Sequence, residues 1–222
     1  MKAVLGLLGS LTVALGVAFD PRFADTTLFW VLLGIPLILA GAFALNQLRR
    51  AGALGPLLRF RGGDLTLGAG VAILLLLATW FGRTQFAALR SPSQLWLFRL
   101  YLQLGDPNRL QSSLLLTVLL AAIVVAQEVI FRGYVQEVFE ERWGARWGWI
   151  TAALAYAFVA SPTLWTLRAE GVGLNPLLFL AALLGGLALG FVRRVSGRLP
   201  PVLVAQGVFT YFSVLQFRLP GL

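Results

Sequence analysis

Seven uncharged, mostly apolar stretches divide this 222-residue chain, at positions 3–19, 26–48, 65–82, 110–127, 147–167, 171–192 and 199–217. Each approaches the length of about 20 apolar residues that a helix needs to cross a bilayer core. Inside hydrocarbon a single segment can satisfy its own backbone only as a helix, so the pattern predicts an all-α, polytopic integral membrane bundle of about seven transmembrane helices. Composition agrees: 59% of residues are hydrophobic and 12% charged, against roughly 45–50% and about 25% in soluble domains. That balance excludes an ordinary soluble domain, and disorder as well, because disorder requires low hydrophobicity.

The first stretch, behind Lys2, is open to reading as a signal peptide, but no small-x-small cleavage site precedes the 20–25 link. It is taken as a retained helix. Net charge is +9, carried by one lysine and seventeen arginines. These lie between apolar runs, which points to membrane topology and anionic headgroups and away from nucleic acid. With the N-terminus inside, eleven basic residues (Lys2, Arg49, Arg50, Arg59, Arg61, Arg132, Arg142, Arg146, Arg193, Arg194 and Arg198) face one side and seven the other. A cytoplasmic N-terminus is therefore expected, and a bacterial plasma membrane is the expected location. Segment 95–104 (LWLFRLYLQL) is too short to span and too apolar for a free loop, so it is expected along the interface or re-entrant, with Trp96 and Tyr101 at headgroup level. Residues 49–64 (RRAGALGPLLRFRGGD) form the expected hinge. They divide a front portion, 1–64, of two helices and a basic loop, from a core, 65–222.

The chain has no cysteine and no histidine, so disulfides, thiolate nucleophiles, imidazole bases and the usual zinc ligands are all missing. Ionisable residues inside a membrane are costly and mark function or an obligatory pair. Glu128 and Arg132, four apart at the end of the fourth stretch, share a helical face and are expected to pair. The bland role for such a pair is a clamp between helices; the functional one is a polar site facing a cavity. After them, Tyr134, Val135, Val138, Phe139 and Trp143 alternate with Gln136, Glu137, Glu140, Glu141 and Arg142, as in an amphipathic surface helix. Glu137 and Glu141 are assigned to its wet face. Gln206 and Thr210, one turn apart in the last stretch, suit a cross-helix hydrogen bond or a site equally well. Ser161-Pro162 predicts a kink in the fifth stretch, Asn175-Pro176 a turn opening the sixth, and Gly185, Gly186 and Gly190 close helix packing.

QEVIFRGYVQ, with Glu128, Phe131, Arg132, Gly133 and Tyr134, resembles the Glu-Glu-x-x-x-Arg motif of the CPBP group of intramembrane metalloproteases, which includes the CAAX prenyl endopeptidases and bacteriocin-processing proteins. ERWGARWGWITAALAYAF and GLALGFVRRVSGRLPPVLVAQGVF resemble the family's following stretches in the same order. The likeness covers about the last hundred residues and implies a zinc endopeptidase.

This chain departs from the family at its catalytic positions. Gln127 stands where the water-activating glutamate is expected, and an amide cannot accept that proton. The family's phenylalanine-to-histidine step leads from Phe158 to Pro162 or from Tyr156 to Ala160, and its last histidine and asparagine correspond to Gln206 and Thr210. Catalytic zinc normally takes three ligands from His, Cys, Asp and Glu, and no zinc or other cofactor is expected here. The family-equivalent positions Gln127, Glu128, Arg132, Gln206 and Thr210 are therefore read as a degenerate site for binding or regulation, with no catalytic or metal residue assigned. Its target would be a membrane peptide, a lipidated segment or a partner helix. The alternative is an active CAAX-type endopeptidase with partner-supplied ligands or unconventional chemistry. A small transporter ranks below both, because no inverted repeat is visible.

Overall fold

A computed structural model describes residues 1–86 and 94–215. Arg90, Arg218 and the end of the last apolar stretch, at Phe217, lie outside the described residues. The elements follow the order α1 (Lys2–Ala18), α2 (Thr27–Arg50), α3 (Leu54–Leu58), α4 (Asp64–Phe86), α5 (Gln94–Leu104), α6 (Pro107–Ser112), α7 (Leu114–Glu128), a π-helical stretch (Val129–Val135), α8 (Gln136–Val159), α9 (Thr163–Thr166), α10 (Leu177–Ser196), α11 (Pro200–Thr210) and a second π-helical stretch (Tyr211–Leu215). There is no strand element among the described residues, and the protein is an all-α membrane bundle.

All seven apolar stretches contain helix. Thr27–Arg50, Asp64–Gly82, Leu114–Thr166 and Leu177–Ser196 are long and apolar enough to cross a bilayer, while Lys2–Ala18 and Pro200–Val214 are shorter apolar helices. The 53-residue stretch Leu114–Thr166 is interrupted within α8 at Gly144, whose φ of 77° and ψ of 159° are not helical. A side chain resists that backbone region and glycine does not. The chain turns there sharply enough to bring Gly148 against the backbone of Glu140. The amphipathic piece and the fifth apolar stretch thus meet at a glycine, with Glu141 and Arg142 exposed as the sequence suggests, and Trp143, assigned to the apolar face, exposed as well.

The expected kink at Ser161-Pro162 is instead a helix end. α8 stops at Val159, and Pro162 precedes the single turn of α9. Proline is tolerated there because the first turn of a helix has no use for its missing N–H. Asn175 behaves as a turn residue and more. Its Oδ1 accepts the Leu177 N–H at 3.2 Å, while its Nδ2 donates to Leu167 O at 3.1 Å and Trp96 O at 3.0 Å, which pins α5 to the bundle. At the other end of α5, buried Gln103 donates to Ala18 O at 3.2 Å and Asp20 O at 3.4 Å in the α1–α2 turn. α5 is therefore a short helix tied at both ends, in keeping with a segment that does not span.

α2 packs against α7 and the first π-helical stretch, α4 against α11, and α10 against α8. Small residues set the close approaches. A Cβ on Gly41 would lie 2.9 Å from Ala126 Cβ, and one on Gly186 3.2 Å from Ala153 Cα. Gly190 faces Gln136 and Trp149, whereas Gly185, also read from sequence as a packing residue, meets nothing within 4 Å.

The 49–64 segment is fixed by specific bonds. Leu57 O accepts the Leu199 N–H at 2.9 Å, and buried Asp64 accepts the Arg61 N–H at 2.8 Å and Arg198 Nη1 at 2.7 Å. Replacing Asp64 by alanine leaves Arg198 without its anion and should cost about 2–3 kcal/mol, as for loss of one partner of a largely buried charge-assisted bond. Thermal unfolding of the detergent-solubilised protein measures it. Asp64→Asn, which can still accept from Arg61, should cost less.

Candidate functional site

The first π-helical stretch interrupts α7 immediately after Glu128. A π-turn widens the helix and commonly accompanies functional sites. Here it carries Arg132, Gly133 and Tyr134 on a wall made by α2. Leu48 Cδ1 would lie 3.1 Å from a Cβ at Gly133, and Phe43 meets the Tyr134 ring edge-on at 6.0 Å.

Glu128 is fully buried and Arg132 is 2% exposed. The expected pair forms, but only by a side-on approach: Arg132 Nε lies 3.4 Å from Glu128 Oε2. Among the described residues neither carboxylate oxygen has a hydrogen-bond partner, and neither do Nη1 and Nη2 of the guanidinium. What holds the guanidinium is aromatic. Its Cζ lies 4.5 Å from the centroid of the Tyr156 ring, which in turn packs on Phe131 at 4.6 Å. A desolvated cation over a ring gains about 2 kcal/mol. Tyr156 is therefore a member of the centre that the sequence did not single out. Only its one-turn distance from Ala160 gave it any prominence.

Gln127, Gln206 and Thr210 are partly buried. α11, which carries the last two, packs on α7. Among the described residues no hydrogen bond joins Gln127, Gln206 or Thr210 to Glu128 or Arg132. The structure thus unites Glu128, Arg132 and Tyr156 and leaves the three uncharged residues on neighbouring surfaces.

A second polar cluster lies farther along, where α10 crosses α8. Fully buried Gln136 donates to Glu140 Oε1 at 2.7 Å and to Gly190 O at 3.2 Å. Arg193 pairs with Glu137 and, at 3.4 Å, with Glu140 Oε2. The sequence reading put Glu137 on a solvated face. It is partly covered instead, because Gly190 lets α10 come close enough for Arg193 to reach it. Glu141 is exposed, as expected.

Residues 109–212 match the family model described as Rce1-like, type II CAAX prenyl endopeptidase Rce1-like. Over that stretch the chain is similar to the CAAX-protease-like family. No curated protein and no solved structure matches the chain. The family match begins in α6 and ends in the second π-helical stretch. It therefore includes Glu128, Arg132, Tyr156, Gln206 and Thr210, whereas α2, which walls the Rce1-like core beside Gly133, lies outside the matched residues.

The family implies zinc, and the donor set does not fit it. Among the described residues no three His, Cys, Asp or Glu side chains come together. Glu128 is a single carboxylate with a guanidinium 3.4 Å away, and the nearby family-equivalent positions offer amides and a hydroxyl. Three strong ligands are the ordinary requirement for catalytic zinc.

Proposed function

We propose that this CAAX-protease-like membrane protein is a non-proteolytic member of its family. Its intramembrane polar centre would bind a polar group carried by a membrane peptide, a lipidated segment or a partner helix. One observation carries the reading. Both oxygens of Glu128 and both terminal nitrogens of Arg132 are buried without hydrogen-bond partners among the described residues. Buried polar atoms are normally satisfied, and those that are not call for an explanation such as water or a bound group. A carboxylate accepts and a guanidinium donates. Together they match a group that can do both, such as a peptide amide.

The side chains at the motif positions support a binding role over hydrolysis. Gln127 is an amide, which cannot act as a base. Tyr156 faces Arg132 while Phe158 is 59% exposed. The inward-facing register of the aromatic-to-histidine motif therefore runs from Tyr156 to Ala160, whose methyl group has no donor atom. Gln206 and Thr210 keep the spacing of the last motif without imidazole. On this reading the protein resides in a bacterial plasma membrane, and the arginine distribution supports a cytoplasmic N-terminus.

The test is metal analysis of the purified chain, together with cleavage assays on a prenylated peptide ending in a CAAX sequence. The expected result is substoichiometric zinc and no chelator-sensitive cleavage, with binding of the peptide weakened by Arg132→Gln. Stoichiometric zinc together with chelator-sensitive cleavage would establish the opposite reading, an active endopeptidase.

A further inference from the structure

Between α2 and α4, both long and apolar enough to span, the chain carries Arg49, Arg50, Arg59 and Arg61, all exposed. The ion pairs among the described residues employ Arg22, Arg109, Arg132, Arg193 and Arg198, which leaves these four without an acidic partner. Asp64, the one acid adjoining the segment, is buried and committed to Arg198. Unpaired positive charge is thus concentrated in thirteen residues that must sit at headgroup level, because helices on both sides of them enter the bilayer.

The segment also carries apolar side chains that water alone would not favour. Phe60, between Arg59 and Arg61, is 57% exposed, and Leu58 is 42% exposed. By contrast Leu57 is 4% exposed and packs beside Gly133, and its carbonyl accepts the Leu199 N–H. The buried leucine and this bond hold the segment on the bundle, with the arginines and Phe60 facing away from it. Arginines around an aromatic residue suit a surface that presents phosphate oxygens above acyl chains.

We propose that Arg49, Arg50, Arg59 and Arg61, with Phe60 between the last two, form a binding surface for anionic phospholipid headgroups. The proposal is independent of what the Glu128–Arg132 centre does. Basic side chains near an anionic surface gain energy that decays within a Debye length, so the interaction is salt-sensitive. An acidic protein segment is the other partner that charge alone would allow. Exposed Phe60 and Leu58 at the mouth of two spanning helices favour lipid.

The full chain in a zwitterionic detergent serves for the test, with dioleoyl phosphatidylglycerol or dioleoyl phosphatidylcholine added and lipid retention read by native mass spectrometry beside thermal melting. Phosphatidylglycerol is expected to be retained preferentially and to raise the melting temperature, less so as NaCl is increased. R49Q/R50Q/R59Q/R61Q should weaken its binding at least about tenfold. The four-lysine version should bind nearly normally, as should R142Q/R146Q, which removes exposed charge elsewhere. If the fourfold glutamine variant does not fold, R59Q/R61Q tests the same surface with two changes in the connecting loop. Undiminished phosphatidylglycerol binding by the folded glutamine variant would overturn the proposal. So would an equal loss in R142Q/R146Q, or an equal thermal shift from inorganic phosphate alone.

Discussion

Arg132→Met should destabilise the protein by about 3–5 kcal/mol, the range for removing one partner of a buried ion pair. Glu128 is completely buried, and Arg132 is the only cation paired with it among the described residues. Without the guanidinium the carboxylate must either keep an uncompensated charge in a low-dielectric interior or take up a proton. The change also removes the cation over the Tyr156 ring. Replacing both residues, as in Glu128→Leu/Arg132→Met, removes the stranded charge and should cost clearly less than the single change. Thermal unfolding in detergent, compared across wild type, both single variants and the double variant, gives the coupling energy directly. Equal losses in Arg132→Met and the double variant would mean that the two groups do more for the fold than neutralise each other.

Gly148→Ala is the second large effect. The added Cβ would lie 2.5 Å from both the backbone nitrogen and the Cα of Glu140. Main chain cannot rotate away as a side chain can, so the whole turn at Gly144 must open. That would strain the bond of Glu140 to Arg193 on α10, 3.4 Å long. A loss of about 3 kcal/mol is expected, at the upper end for overpacking by one methyl group. Gly185→Ala is the matched control. It meets nothing within 4 Å, and alanine is the better helix former by about 1 kcal/mol. It should be neutral or mildly stabilising in the same melting experiment.

The two variants also show what a sequence can and cannot reveal. The seven apolar stretches, the failure of 95–104 to span and the Glu128–Arg132 pairing followed from length and periodicity alone, because bilayer thickness and helical spacing are properties of any chain. The partners of Gly148 and Arg193 did not. They depend on which helix lies against which, and apolar periodicity carries no such information when most faces are apolar. In sequence Arg193 is one more basic residue between apolar runs, and only the packing of α10 on α8 brings it to Glu137 and Glu140. Tyr156 was equally hard to find, since its role depends on meeting Arg132 from another helix. Conversely, the poor donor set at the motif positions was legible at once, because identity alone decides it: an alanine, an amide and a hydroxyl remain what they are wherever the fold puts them.

The glycine contacts of α2 fix a direction as well as a distance. Gly34 lies against Leu119 and Ile123, and Gly41, two turns later, against Ala126. Contacts that advance together along both helices mean that α2 and α7 run the same way. A chain can return to its starting side only by crossing back, so an odd number of crossings must separate the two. α4 supplies one, and α5 and α6 are too short to add another. The connection after Arg50 and the continuation after Glu128 therefore open on the same face of the bilayer, which is why Leu57 and Gly133 can touch.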